Sequence, residues 1–200
     1  MLRRLSGYLA TTLPLIWAME TVNPSIGAAR EPQTQSALTS QAGGTVHDFD
    51  FLVGRWTVQH RRLKGRLERS SDWEAFAGTC ETRLILGGQA NVDDNVLELP
   101  DGAYRAVTMR VFDPSTRTWA IWWFDSRHGH DLDPPLVGGF RNGVGTFFAD
   151  DRFKGKPIKV RFIWSDITST KARWEQAFSE DGGATWETNW VMKFTRTAGS

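Results

Sequence analysis

The chain has 200 residues, which suits one domain of ordinary size (roughly 100–200 residues). Its 24 Lys and Arg nearly cancel 23 Asp and Glu, for a net charge of +1, and no block of like charge breaks the mixture. That balance gives neither nucleic acid nor an anionic membrane an electrostatic footprint, and a single cysteine, Cys80, excludes an internal disulfide scaffold.

At the start, Met1-Leu2-Arg3-Arg4 is basic, Leu5 to Met19 is mostly apolar and uncharged, and Gly27-Ala28-Ala29 supplies small residues at a cleavage point. These features predict a signal peptide over residues 1–29, a mature start near Arg30 and a periplasmic or secreted protein. Its removal would take Arg3, Arg4 and Glu20 and leave a formally neutral chain. Ser6, Thr11, Thr12 and Pro14 interrupt the apolar run, which is too short for the ~20 residues of a spanning helix, so no stable membrane insertion is expected. Residues 30–46 are Gln, Ser, Thr, Ala and Gly with almost nothing large and apolar. Such a segment cannot bury enough to offset its ordering entropy and reads as a flexible linker.

From His47 to Arg196 the pattern is that of one all-β domain. The stretch from His47 to Leu52 suits one helical turn, since Phe49 and Leu52 lie three apart. Beyond it, short runs of alternating β-branched and aromatic residues predict strands at Trp56–Leu63, Ser71–Thr79, Glu81–Leu86, Asn91–Leu99, Tyr104–Asp113 and Thr118–Asp125. The series continues at Leu136–Arg141, Val144–Arg152, Ile158–Ser165, Lys171–Ser179 and Trp186–Thr195. Pro100-Asp101-Gly102, Asp113-Pro114-Ser115 and Asn142-Gly143 are turn sequences for tight antiparallel connections. A meander of about ten strands without covering helices leaves two open edges, and closing into a single antiparallel barrel of lipocalin-like form removes them.

Period two then assigns the faces. Ile158, Val160, Phe162 and Trp164 share one face, as do Ala172, Trp174, Gln176 and Phe178, and then Trp186, Thr188, Trp190, Met192 and Phe194. These aromatic stripes are expected to face the interior, with Glu187, Asn189 and Lys193 outside. The ten Trp and twelve Phe, beside two Tyr, suit either plain core packing or a ligand pocket. Cys80 lies in an alternating stretch far from any His or Lys in sequence and reads as a small buried hydrophobe.

Two motifs are local. Gly54-Arg55-Trp56 opens the first strand and Arg196 ends the last, a pairing that resembles the one in lipocalin-like barrels; that resemblance implies a guanidinium stacked on an indole at the closed end. Ser179-Glu180-Asp181-Gly182-Gly183-Ala184-Thr185-Trp186 matches the Asp-box pattern Ser-x-Asp-x-Gly-x-Thr-Trp; present in one copy, it reads as a hairpin staple rather than a propeller repeat. With Asp50 to Trp56, Leu86 to Asp94, Trp119 to Asp125 and Arg173 to Phe178 taken in order, the chain resembles the DUF1579 family of bacterial proteins. That resemblance implies a calycin-type, lipocalin-like barrel over about Phe49 to Arg196 and no established activity. The domain also looks distantly like the haem-binding nitrobindins, whose axial His lies near the C-terminus. No His follows His130 here, so the haem site does not carry over and no cofactor is expected.

Candidate chemistry is sparse. Counting from Trp56 places Val58, His60 and Arg62 inward, where His60 and Arg62 would orient a carboxylate, phenolate or carbonyl group. Trp164, Trp174, Gln176 and Trp190 would form the cavity wall. His128 and His130 with a nearby carboxylate are the only metal-like cluster, a weak one, and no metal site is assigned. Asp93 and Asp125 are candidates for an acid/base pair. No nucleophile elbow, metalloprotease, phosphate-loop or dinucleotide motif is present. The first expectation is an exported barrel that binds a small hydrophobic or aromatic molecule in an aromatic-lined cavity. A cofactor-independent cavity enzyme (isomerase, hydratase or hydrolase) and a protein-interaction domain of the envelope remain open beside it, and the oligomeric state is not indicated.

Overall fold

The computed structural model describes residues 43–127, 129 and 132–198. The expected signal peptide and most of the expected linker lie outside these residues, as do His128 and His130. Ten strands follow a short 3-10 turn, Asp50–Leu52. They are β1 (Gly54–Leu63), β2 (Trp73–Ile85), β3 (Ala90–Leu99), β4 (Gly102–Asp113), β5 (Thr118–Asp125), β6 (Leu136–Arg141), β7 (Val144–Phe153), β8 (Lys156–Ser165), β9 (Lys171–Ser179) and β10 (Glu187–Arg196). Each pairs antiparallel with its sequence neighbours, and β10 returns to β1 to close the barrel, in register from Trp56↔Arg196 to Arg62↔Trp190. No helix among the described residues is long and apolar enough to cross a membrane.

Eleven strands were expected and ten are found, because Ser71–Thr79 and Glu81–Leu86 belong to one strand, β2. No turn residue separates them, and the inward series Phe76, Gly78, Cys80, Thr82 runs through unbroken. Cys80 sits in mid-strand opposite Trp56 and Asn95, 2% exposed, and burial pushes its thiol pKa up. The β6–β7 turn has positive φ at both Asn142 (52°) and Gly143 (77°), the backbone that a two-residue antiparallel turn with matching strand twist requires.

One end of the barrel is packed shut. Phe49 and Leu52, carried in by the 3-10 turn, join Trp56, Trp119, Phe147 and Trp164 there, each no more than 2% exposed. Phe49 meets the edges or faces of Trp119 and Phe140 at 5.0 Å. The Trp56 indole N–H donates to the Leu52 carbonyl at 2.8 Å, and the Arg196 guanidinium lies 4.2 Å from its ring. Arg196 also donates to the carbonyls of Phe51, Val53 and Ser169 at 2.6–2.7 Å. The expected stack therefore exists, and the same guanidinium ties the entry segment to the end of β10.

The facing expected for β8 and β9 is observed, whereas that of β10 is half right. Trp190, Met192 and Phe194 are buried inside. A register shift between Thr188 and Trp190 inserts one extra residue into β10 and reverses the parity before it. Trp186 accordingly lies with Phe148 (5.9 Å between ring centroids) and under Arg161 (4.4 Å), both outward-facing residues of their strands. Asn189, expected outside, is fully buried and accepts a hydrogen bond from the Gln176 amide at 2.8 Å.

Candidate functional site

Inward-pointing residues of successive strands stack in layers above the closed end. The first layer is polar. Asp93 (β3) and Arg110 (β4) form an ion pair at 2.8 Å, 2% and 4% exposed. The Asp93 carboxylate also accepts from Asn95 Nδ2 at 2.6 Å and the Thr108 backbone N–H at 2.9 Å, and Arg110 donates to Asn91 Oδ1 at 3.0 Å. These partners replace much of the hydration that the two charges lose on burial. A void of about 20 Å³ touches this pair and Trp164, room for one water. The Trp164 indole N–H and Arg110 Nε, both buried, have no hydrogen-bond partner among the described residues.

Above the polar layer is an aromatic belt. Trp174 and Trp123 each meet Trp190 nearly at right angles, with ring centroids 5.8 and 5.9 Å apart, and Phe162 lies 4.6 Å from Trp174. These rings line a cavity of about 300 Å³ together with Gln176, Phe178 and Met192. The β5–β6 ladder contains only three residue pairs and stops at Ile121↔Leu136. Trp123 and Asp125 therefore stand in a half of β5 that pairs with β4 alone, and Asp133, Pro134 and Leu136 line the cavity across from them.

The cavity rim is charged. Arg62, Arg66 and Arg127 line one part of it, with Tyr104, and Asp125, Asp133 and Asp151 also contribute. Arg62 is tied to Glu74 at 2.6 Å, both side chains largely covered, and its guanidinium lies 5.4 Å from the Phe76 ring and 5.7 Å from Trp190. Arg127 is paired to Asp125 at 2.7 Å and lies 3.7 Å over the Tyr104 ring. Those hydrogen bonds to Asp125 raise the Arg127 pKa, while burial raises that of the Tyr104 phenol.

The expected site residues separate into two groups. Arg62, Trp174, Gln176 and Trp190 line the cavity; His60 does not, and Trp164 lies lower, at the small void. His60 is 4% exposed, stacked on Phe76 at 4.6 Å and 9°, with Nδ1 accepting from the Trp190 indole N–H at 3.2 Å. Burial, with Arg62 adding to it, lowers its pKa from 6.5 to about 4. At neutral pH it is a neutral acceptor that sets the orientation of a wall residue. The candidate acid/base pair is also accounted for, since Asp93 is bound to Arg110 and Asp125 to Arg127. Among the described residues no three of His, Cys, Asp and Glu converge as metal ligands.

Sequence reading missed Arg66, Tyr104, Trp123 and Arg127 at the cavity and the Asp93–Arg110 pair below it. For Asp93 and Arg110 a signal existed: alternation places opposite charges on the inward faces of adjacent strands. Arg66 sits in a loop, where period two carries no information. A larger concavity, about 730 Å³, lies on the outer face against Val92, Val107 and Phe124 and beside the exposed Arg105–Asp94 pair.

No family model and no curated protein matches the chain. Among solved structures it is similar to the S-type phycobiliprotein lyase CPES from Guillardia theta, with 9% identity and a TM-score of 0.51 over 82% of this chain and 98% of that one. It also matches EF1p2_mFAP2b bound to DFHBI, with 12% identity and a TM-score of 0.42 over 76% and 98% of the two chains. At such identity the likeness to the lyase is one of barrel fold.

Proposed function

We propose that this protein is a binding or carrier protein for one small hydrophobic or aromatic molecule. The observation that carries the reading is the cavity of about 300 Å³ walled by Trp123, Phe162, Trp174 and Trp190, above a floor that is packed shut. Ligand pockets are typically apolar concavities of ~300–1,000 Å³ with a few placed polar groups; this one stands at the lower end of that range, an apolar belt beneath a charged rim. A barrel of eight to ten strands has the width for such a guest. Apolar burial would supply most of the affinity, roughly 25 cal/mol per Å² before the costs of association. The reading rests on the rings and the space between them. Nothing in the geometry favours the enzyme alternative over it, as both candidate acids are engaged by arginines.

Native mass spectrometry of protein from its own host, with tryptophan emission followed during titration of aromatic acids, phenols and amides, tests this. A co-purified small molecule or a saturable change in emission is expected, weakened at least tenfold by Trp174→Ala and Trp190→Ala. An empty barrel whose emission no probe moves would refute it. The residues that suggest membership of the DUF1579 family and export to the periplasm or medium keep those two readings as part of the proposal. N-terminal sequencing that returned Met1 or Leu2 from the native host would remove the second.

A further inference from the structure

The loop between β1 and β2, residues 64–72, bends over the rim of the barrel and is held at both sides. The Leu67 backbone N–H donates to Glu187 Oε1 at 2.7 Å, and Glu68 pairs with Lys154 of the β7–β8 turn at 2.5 Å. Leu67 (φ 59°) and Arg69 (φ 54°) both occupy the left-handed region, a conformation non-glycine residues hold only when their surroundings impose it. Leu67 also packs against the core. The residue this strap presents to the cavity is Arg66, half-buried, with its guanidinium 6.0 Å from the Phe178 ring.

Arg66 differs from the other two arginines at the rim. Arg62 has Glu74 and Arg127 has Asp125, whereas Arg66 forms no ion pair or hydrogen bond among the described residues. Burial first and then the neighbouring Arg62 lower its pKa, partly offset by Tyr104 and Glu74, with a smaller contribution from Arg127. A guanidinium has five N–H donors and keeps its charge in a protein, so a half-buried one without an acceptor gains most from an anion delivered beside it. The carboxylates of Asp133 and Asp151 line the cavity as well, but with Arg62 and Arg127 each held by a carboxylate, Arg66 is the rim arginine without an ion-pair partner among the described residues.

We propose that Arg66, presented by the β1–β2 strap, is the specificity-determining residue of the cavity, and that the ligand is an aromatic molecule carrying a carboxylate or comparable anionic group. The proposal rests on the reading of the cavity as a ligand site. The ring system lies in the belt of Trp123, Trp174 and Trp190, and the anion meets Arg66 near Phe178 at the rim. Arg62, already neutralised by Glu74, and His60, behind Trp190, do not supply this recognition.

Isothermal titration calorimetry with naphthalene-2-carboxylate and its neutral isostere naphthalene-2-carboxamide tests the assignment. The wild-type protein should bind the carboxylate about tenfold or more tightly, as a charge-assisted contact in a partly desolvated site implies. Arg66→Gln should bring that ratio near one while leaving carboxamide affinity within about twofold, and Arg66→Lys should restore part of it. Equal affinities in the wild type, a ratio that survives Arg66→Gln, or a ratio lost only in Arg62→Gln would overturn the assignment of Arg66. Binding of the carboxamide in those cases leaves the cavity reading standing. Failure of both probes, with no emission change from any other aromatic compound, refutes the cavity reading itself.

Discussion

His60 shows how a residue chosen for its chemistry serves geometry instead. Its ring lies against the bare Cα of Gly78, where an added Cβ would come within 2.7 Å of Nε2 and 2.5 Å of the Val96 carbonyl. It is thereby fixed as the acceptor for Trp190. The folded protein holds its pKa near 4 and the unfolded chain near 6.5, so between these values only the unfolded chain takes up the proton. The stabilisation is therefore complete above about pH 6.5 and is lost as pH falls toward 4, by roughly 3 kcal/mol in all. Urea titrations from pH 7 to 4 should show that loss in the wild type and a flatter profile in His60→Gln. Parallel profiles would mean that the ring titrates as in water. Period two made the inward direction of His60 and Arg62 legible; their partners Trp190 and Glu74 stand on the neighbouring strands β10 and β2, and the register that brings them together left no local trace.

Along a single element the lesson is one of phase. The β9–β10 connection is held by Ser179, whose hydroxyl donates to Asp181 Oδ1 at 2.7 Å and accepts from the Gly183 N–H at 2.8 Å. Asp181 in turn accepts from the backbone N–H and hydroxyl of Thr185, which lowers its carboxyl pKa, and the Trp186 indole donates to the Gly183 carbonyl. Ser179 is 2% exposed, so Ser179→Ala should cost about 1–2 kcal/mol in chemical denaturation, with the Gly183 N–H left without that acceptor. An unchanged midpoint would show the turn to be set by its glycines alone. That this segment is a staple was readable from its residue types. That the staple is followed by a bulge was not, since a one-residue insertion has no composition signature in Thr188-Asn189-Trp190. One bulge sufficed to move Trp186 from the expected wall to the outer face. The joined strand β2 is the converse case, an uninterrupted alternation that needed no division at Cys80.

For the molecule as a whole, the barrel's identity as a closed meander followed from strand count and turn chemistry, while the contacts across the β1–β10 seam depended on pairings more than a hundred residues apart. One of these lies at the floor, where Arg196 stacks on Trp56. Trp56→Ala should destabilise the barrel by about 3–5 kcal/mol, as large core truncations do. Because Arg196→Ala acts on the same contact, the double variant should lose less than the sum of the two, and strict additivity in denaturant would separate the residues energetically. The direction of synthesis gives the same contact a further meaning. Nine strands can pair, each with its predecessor, while β1 and β9 still present raw edges that invite pairing with other chains. Only when β10 docks are both edges covered and Arg196 brought onto Trp56. Sealing the floor thus waits for the last strand, and until it docks both edges stay open to stray partners.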